Sequence, residues 1–160
     1  MAISLHRRTV TLALLSAFVR PAFAQRRGEL LIEVYKSPTC GCCKDWIKHL
    51  EANGFTVKAH DVADSRQYRA RFGMPHKYGS CHTGLIAGYV VEGHVPAREI
   101  KRLLRERPSA LGISVPGMPI GSPGMDTPSY NGHVDPYDVL LVQADGRATI
   151  FASYEPPEKR

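Results

Sequence analysis

An α/β sandwich is the fold class that this 160-residue chain predicts. Three observations carry that expectation. Leu30 to Lys36 is a run of branched and aromatic residues that reads as a buried strand. The stretch from Cys42 onward changes to helical spacing, with Trp46, Ile47 and Leu50 on one face and Lys44, Lys48 and Glu51 largely on the other. The same alternation of strand and helix then recurs along the chain.

The elements follow in order. Residues 1–24 are set apart as a signal peptide: His6-Arg7-Arg8 is a basic start, Thr11 to Val19 is apolar, and Ala22-Phe23-Ala24 is a small-x-small cleavage pattern. The apolar stretch is too short to span a bilayer. Export by the general route is expected, to the periplasm, leaving residues 25–160 as a single domain. Within it, Ser37-Pro38-Thr39 ends the first strand and Gly54 stops the first helix. Phe55 to Val62 alternates as a second strand, and Asp64-Ser65 caps a helix running to about Phe72. Thr83 to Val91 is a further apolar strand, loosened by Gly84 and Gly88, and Gly93-His94 makes a turn. Pro96 opens a helix striped by Ile100, Leu103 and Leu104, which Pro108 ends. Residues 111–136 form a long Gly/Pro/Met-rich loop without periodicity. A hairpin over 137–154, turning at Asp145-Gly146, closes the domain.

Composition excludes some functions. The formal net charge of +6 falls to +3 once Arg7, Arg8 and Arg20 leave with the signal peptide. No basic run is interleaved with aromatics, so no nucleic-acid partner is expected. No membrane span is expected after cleavage.

The chemistry lies in the cysteines. Cys40, Cys42 and Cys43 fall within four residues, and the fourth, Cys81, stands in Gly79-Ser80-Cys81-His82-Thr83. Cys40 and Cys43 have the Cys-x-x-Cys spacing of thioredoxin-like redox sites, at a strand-to-helix junction. A helix N-terminus offers free amides and a positive dipole, which favour thiolate. Thiolate is the nucleophile of disulfide exchange and equally a metal ligand. Four cysteines permit three pairings, and an oxidising compartment favours pairing without choosing among them.

Cys42 shifts the balance toward metal. A dithiol oxidoreductase needs two cysteines, and a third beside them would capture mixed disulfides wrongly. Thioredoxins carry a cis-proline before the third strand, where this chain has Cys81-His82, and no proline lies between Pro75 and Pro96. Sulfur-rich ligation selects Cu(I), zinc or iron–sulfur clusters. Zinc sites take ligands spaced around one tetrahedral ion, and adjacent Cys42 and Cys43 are not expected to share one ion with Cys40. Bridging thiolates over several Cu(I) ions relax that demand. Met118 and Met125, each in a Pro-Gly-Met repeat, add soft thioethers or else simply cap the core. His82 is the best histidine candidate. His76 and His94 read as ordinary polar residues, His49, His60 and His133 as helix-surface, strand-face and loop residues respectively, and Trp46 as core beneath the cysteines.

Cys40-Gly41-Cys42-Cys43, Ser80-Cys81-His82-Thr83, the segment Gly88 to Pro96, and Pro116 to Met125 resemble the CopG-type periplasmic copper-resistance proteins over about Leu30 to Asp126. The resemblance implies a thioredoxin-like, three-layer fold around a multinuclear, sulfur-ligated copper cluster that cycles copper between Cu(I) and Cu(II). It places Cys40, Cys42, Cys43 and Cys81 on the family's cysteines and Met118 and Met125 on its methionine loop. The expected function is thus copper binding in copper resistance, as a sink or a redox converter, with a copper efflux or redox protein as partner. The alternative is a thiol–disulfide oxidoreductase using Cys40 and Cys43.

Overall fold

The computed structural model describes residues 30–157. The signal peptide expected over residues 1–24 lies outside them. Among the described residues seven strands form one mixed sheet, with three helices distributed over its two faces. In chain order they are β1 (Leu31–Lys36), α1 (Gly41–Ala52), β2 (Thr56–Asp61), α2 (Ser65–Arg71), β3 (His82–Ile86), β4 (Tyr89–Glu92), α3 (Ala97–Glu106), β5 (Gly112–Ser114), β6 (Tyr137–Val142) and β7 (Ala148–Tyr154). Short 3-10 turns cover His76–Tyr78 and Pro128–Tyr130.

The sheet runs β2-β1-β3-β4-β5-β6-β7. β1 and β2 are parallel, joined across α1, and β4 and β5 are parallel, joined across α3. The remaining neighbours are antiparallel. Because side chains alternate across a strand, the sheet buries two cores. On one face Ile32, Val34, Ile86, Val91 and Ile113 pack against Trp46 and Leu50 of α1 and Ile100 and Leu103 of α3. On the other, Val90 and Val142 meet Met74 and Phe72, which follow α2. Among the described residues no helix is long and apolar enough to cross a membrane.

Local chemistry explains the ends of the elements. Cys40 caps α1: its Sγ accepts the Cys43 N–H at 3.3 Å. Asp64 caps α2 through the Arg66 N–H at 2.9 Å. α3 ends on Arg107 in a left-handed conformation, φ 47°.

Two expectations need correction. The apolar stretch from Thr83 to Val91 is not one strand but the hairpin β3–β4, which turns at Ala87 and Gly88, both at positive φ (48° and 85°). That pair suits a two-residue turn whose twist matches its strands. The long loop also begins later than expected, because Gly112–Ser114 is β5 and joins the C-terminal hairpin to the sheet. The hairpin itself spans the strands expected, with a register shift at Val139/Leu140.

Candidate metal centre

The site lies where β1 runs into α1, beside the start of β3. Helix α1 presents its first turn there, so Cys40, Cys42 and Cys43 converge although they are near neighbours in sequence. Cys43 is fully buried, while Cys40, Cys42 and Cys81 are half-buried. Cys40 and Cys43 form a disulfide, S–S 2.05 Å, and Cys42 and Cys81 are free thiols. Cys42 Sγ lies 3.5 Å from Cys40 Sγ, and Cys81 Sγ lies 3.5 Å from Cys43 Sγ and 3.9 Å from Cys42 Sγ. All four sulfurs fall within 4.8 Å of one another.

Two histidines complete the cluster. Cys81 Sγ lies 3.3 Å from Nδ1 of His82 and 3.2 Å from Nε2 of His94, and these three residues form a second convergent set. His82 stands on β3 opposite Lys36 of β1, with its ring 4.3 Å from that of Trp46 and 5.0 Å from that of His94. Trp46 is core beneath the cysteines, as expected, and its indole N–H donates to the Val95 carbonyl at 2.8 Å. His94 Nδ1 donates to the Pro123 carbonyl at 2.8 Å. That bond fixes the tautomer and leaves the Nε2 lone pair facing Cys81.

His94 is the residue that sequence reasoning missed. The signal was in the hairpin: a two-residue turn at Ala87-Gly88 pairs Thr83 with Glu92, and two residues further out Cys81 then faces His94. Reading Thr83 to Val91 as a single strand hid that register.

The loop from Val115 to Pro136 wraps the site. A Cβ on Gly124 would lie 2.7 Å from both the Cys42 carbonyl oxygen and the Trp46 nitrogen, so only glycine passes so close to α1. Met118 is 51% exposed, next to Gly117, whose N–H donates to the Gly79 carbonyl at 3.0 Å. Met125 is buried, and its sulfur accepts the Tyr130 hydroxyl at 3.9 Å. Three other histidines are otherwise engaged: His49 Nε2 accepts the Ala97 N–H, His60 meets Glu33, and His133 meets Asp135.

The electrostatics suit soft, neutral donors. Burial, reinforced by the neighbouring Cys42, pushes the Cys81 thiol up to about 12. Burial also holds His82 well below the usual histidine range, aided by His94, and lowers His94 itself. Both imidazoles are therefore neutral, with lone pairs to offer. Nε2 of His82 is the one buried side-chain polar atom without a hydrogen-bond partner among the described residues, an arrangement that native interiors rarely retain without a reason.

Two solved structures, "Copper resistance protein copG" in Form 1 and Form 2, match the chain with TM-scores of 0.72 and 0.73. Each is 51% identical, across 79% of this chain and 98% of the other. The chain belongs to the CopG copper-resistance family. Residues 78–125 also match a family described as "Protein of unknown function, DUF411". No curated protein matches the chain.

Proposed function

We propose that this CopG relative is an exported, periplasmic copper-binding protein that holds Cu(I) on the thiolates of Cys40, Cys42, Cys43 and Cys81. The observation that carries the reading is the convergence of four sulfurs within 4.8 Å, with neutral imidazoles 3.2 and 3.3 Å from the sulfur of Cys81. His94 and His82 join as nitrogen donors. Met118, exposed on its loop, offers a thioether to incoming copper, and Met125 supports the loop from inside. Bridging thiolates make the bound copper multinuclear. The β1–α1–β2 unit followed by a hairpin and a helix supports a thioredoxin-like framework for the domain 25–160.

The same cysteines can change the oxidation state of copper. Two thiols that give up two electrons to two Cu(II) ions yield one disulfide, two Cu(I) ions and two protons. The Cys40–Cys43 disulfide is the oxidised form that such a step leaves behind, and two equivalents of a thiol reductant, themselves oxidised to a disulfide, return Cys40 and Cys43 to thiols. The protein would then act in copper resistance as a sink or as a redox converter, with a copper efflux or redox protein taking the product.

Anaerobic titration of the reduced protein (from Gln25) with Cu(I), read as bound copper per chain, tests the reading. More than one copper per chain, lost together in a Cys→Ser series, is the expected result. One copper or less, easily taken by a mild chelator, would overturn the cluster.

The disulfide itself favours a second reading, a thiol–disulfide oxidoreductase with half-buried Cys40 as nucleophile and buried Cys43 as resolving cysteine. It requires insulin-reducing activity that survives Cys42→Ser and Cys81→Ser.

A further inference from the structure

Behind the cysteines lies an ion pair that the copper chemistry does not use. Arg69 of α2 and Glu92 of β4 are both buried, 5% and 0% exposed, and Arg69 Nη1 donates to Glu92 Oε1 at 3.2 Å. Both charged groups reach the same backbone residue. The Ser80 N–H donates to Glu92 Oε1 at 2.7 Å, and Arg69 Nη1 donates to the Ser80 carbonyl at 3.3 Å. The second carboxylate oxygen of Glu92 accepts the Thr83 hydroxyl at 2.7 Å. The pair thus grips the chain on both sides of Cys81.

Ser80 and Cys81 precede the first residue of β3, His82, so no strand ladder holds them. The surrounding glycines are cut to fit the grip. A Cβ on Gly79 would lie 1.9 Å from Arg69 Nη1, and one on Gly93 would lie 2.6 Å from the Ser80 side chain. Buried ion pairs seldom contribute more stability than apolar residues of the same volume. An apolar pair, however, could not hold both the N–H and the carbonyl of Ser80.

We propose that Arg69 and Glu92 are positioning residues that set the Cys81 sulfur against the cysteines of α1. For copper this rests on the binding function proposed above, whereas the placement of Cys81 can be read without metal.

Two measurements decide it, both on the complete mature chain. The first is a double-mutant cycle on Cu(I) affinity with Glu92→Ala and Cys81→Ser. Glu92→Ala should weaken binding about tenfold or more in the wild-type background and by no more than about twofold when Cys81 is already serine. Glu92→Gln, which keeps an oxygen for the Ser80 N–H, should restore affinity to within about twofold of wild type. Equal losses in both backgrounds would mean a general structural role and overturn the proposal.

The second measurement is metal-free closure of a Cys42–Cys81 disulfide by diamide, which takes two electrons and two protons from the thiols. Glu92→Ala should slow it about tenfold, and an unchanged rate would overturn the proposal. If wild type binds no Cu(I), the copper reading fails while this rate still judges the placement. Should Glu92→Ala not fold, the doubly neutral Glu92→Gln/Arg69→Met protein replaces it in both assays. That variant keeps the Ser80 N–H contact and loses the carbonyl contact, and the same slowing and the same non-additivity are expected.

Discussion

His94 has both ring nitrogens assigned by their neighbours: one donates to Pro123 and the other faces Cys81. Its replacement by glutamine should lower Cu(I) affinity at least about tenfold in a chelator competition, and unchanged affinity would place it outside the ligand set. Cys81 leads to a second expectation. Its thiol, raised to about 12, is protonated at neutral pH. Copper must displace that proton, so binding tightens as pH rises, by about tenfold per pH unit for one proton released. Cu(I) competition titrations a unit apart near neutrality check both sign and slope. The residues whose chemistry is carried by type alone were legible in the sequence, namely the four cysteines and His82. His94 was not, because an imidazole in a Gly-His turn acquires meaning only from the strand register that aims it.

At the scale of elements, the loop between β5 and β6 is a structural wall of the site. Gly124 sits at φ +84° against α1, so Gly124→Ala combines a disfavoured backbone with an overlap. It should cost more than about 1 kcal/mol in urea unfolding, and a neutral effect would show that the loop can lift from the helix. The strands β6 and β7 carry a stacked pair, Tyr137 and Tyr154, with ring centroids 4.6 Å apart. Burial raises both phenols, Tyr154 to about 12, where its bond to Glu99 adds to the effect. Unfolded tyrosines ionise near about 10, so the unfolded chain loses these protons first. The stability contributed is complete below pH 10 and declines as pH rises toward 12, which tyrosinate absorbance followed beside circular dichroism would show. Helices and long strands were legible because their apolar periodicity is sustained. The strand β5 was not: three residues give no alternation to read, and Gly112 looks like a breaker although a Cβ there would lie 1.9 Å from the Val90 carbonyl oxygen.

At the scale of the whole molecule, one sheet ties the cysteine cluster to the C-terminal hairpin among the described residues. Val139 belongs to the core that contains Trp46, and Val142 to the core on the opposite face. Ending the chain at Pro136 strips both cores and exposes the edge of β5. The shortened protein should lose cooperative unfolding in urea, whereas a retained sharp transition would make the hairpin an accessory.

The distance in sequence between Cys42 and Cys81, 39 residues, also sets an order in time. As the chain emerges, the three cysteines at the start of α1 are available for an oxidant to pair before the sheet brings Cys81 to them. Closing a short loop is rapid, while pairing across the sheet waits on the β1–β3 ladder. An oxidant that arrives before folding therefore acts on neighbours alone, and one that arrives afterwards meets all four sulfurs. The history of a newly made chain is thereby written into which of its thiols remain able to receive a metal.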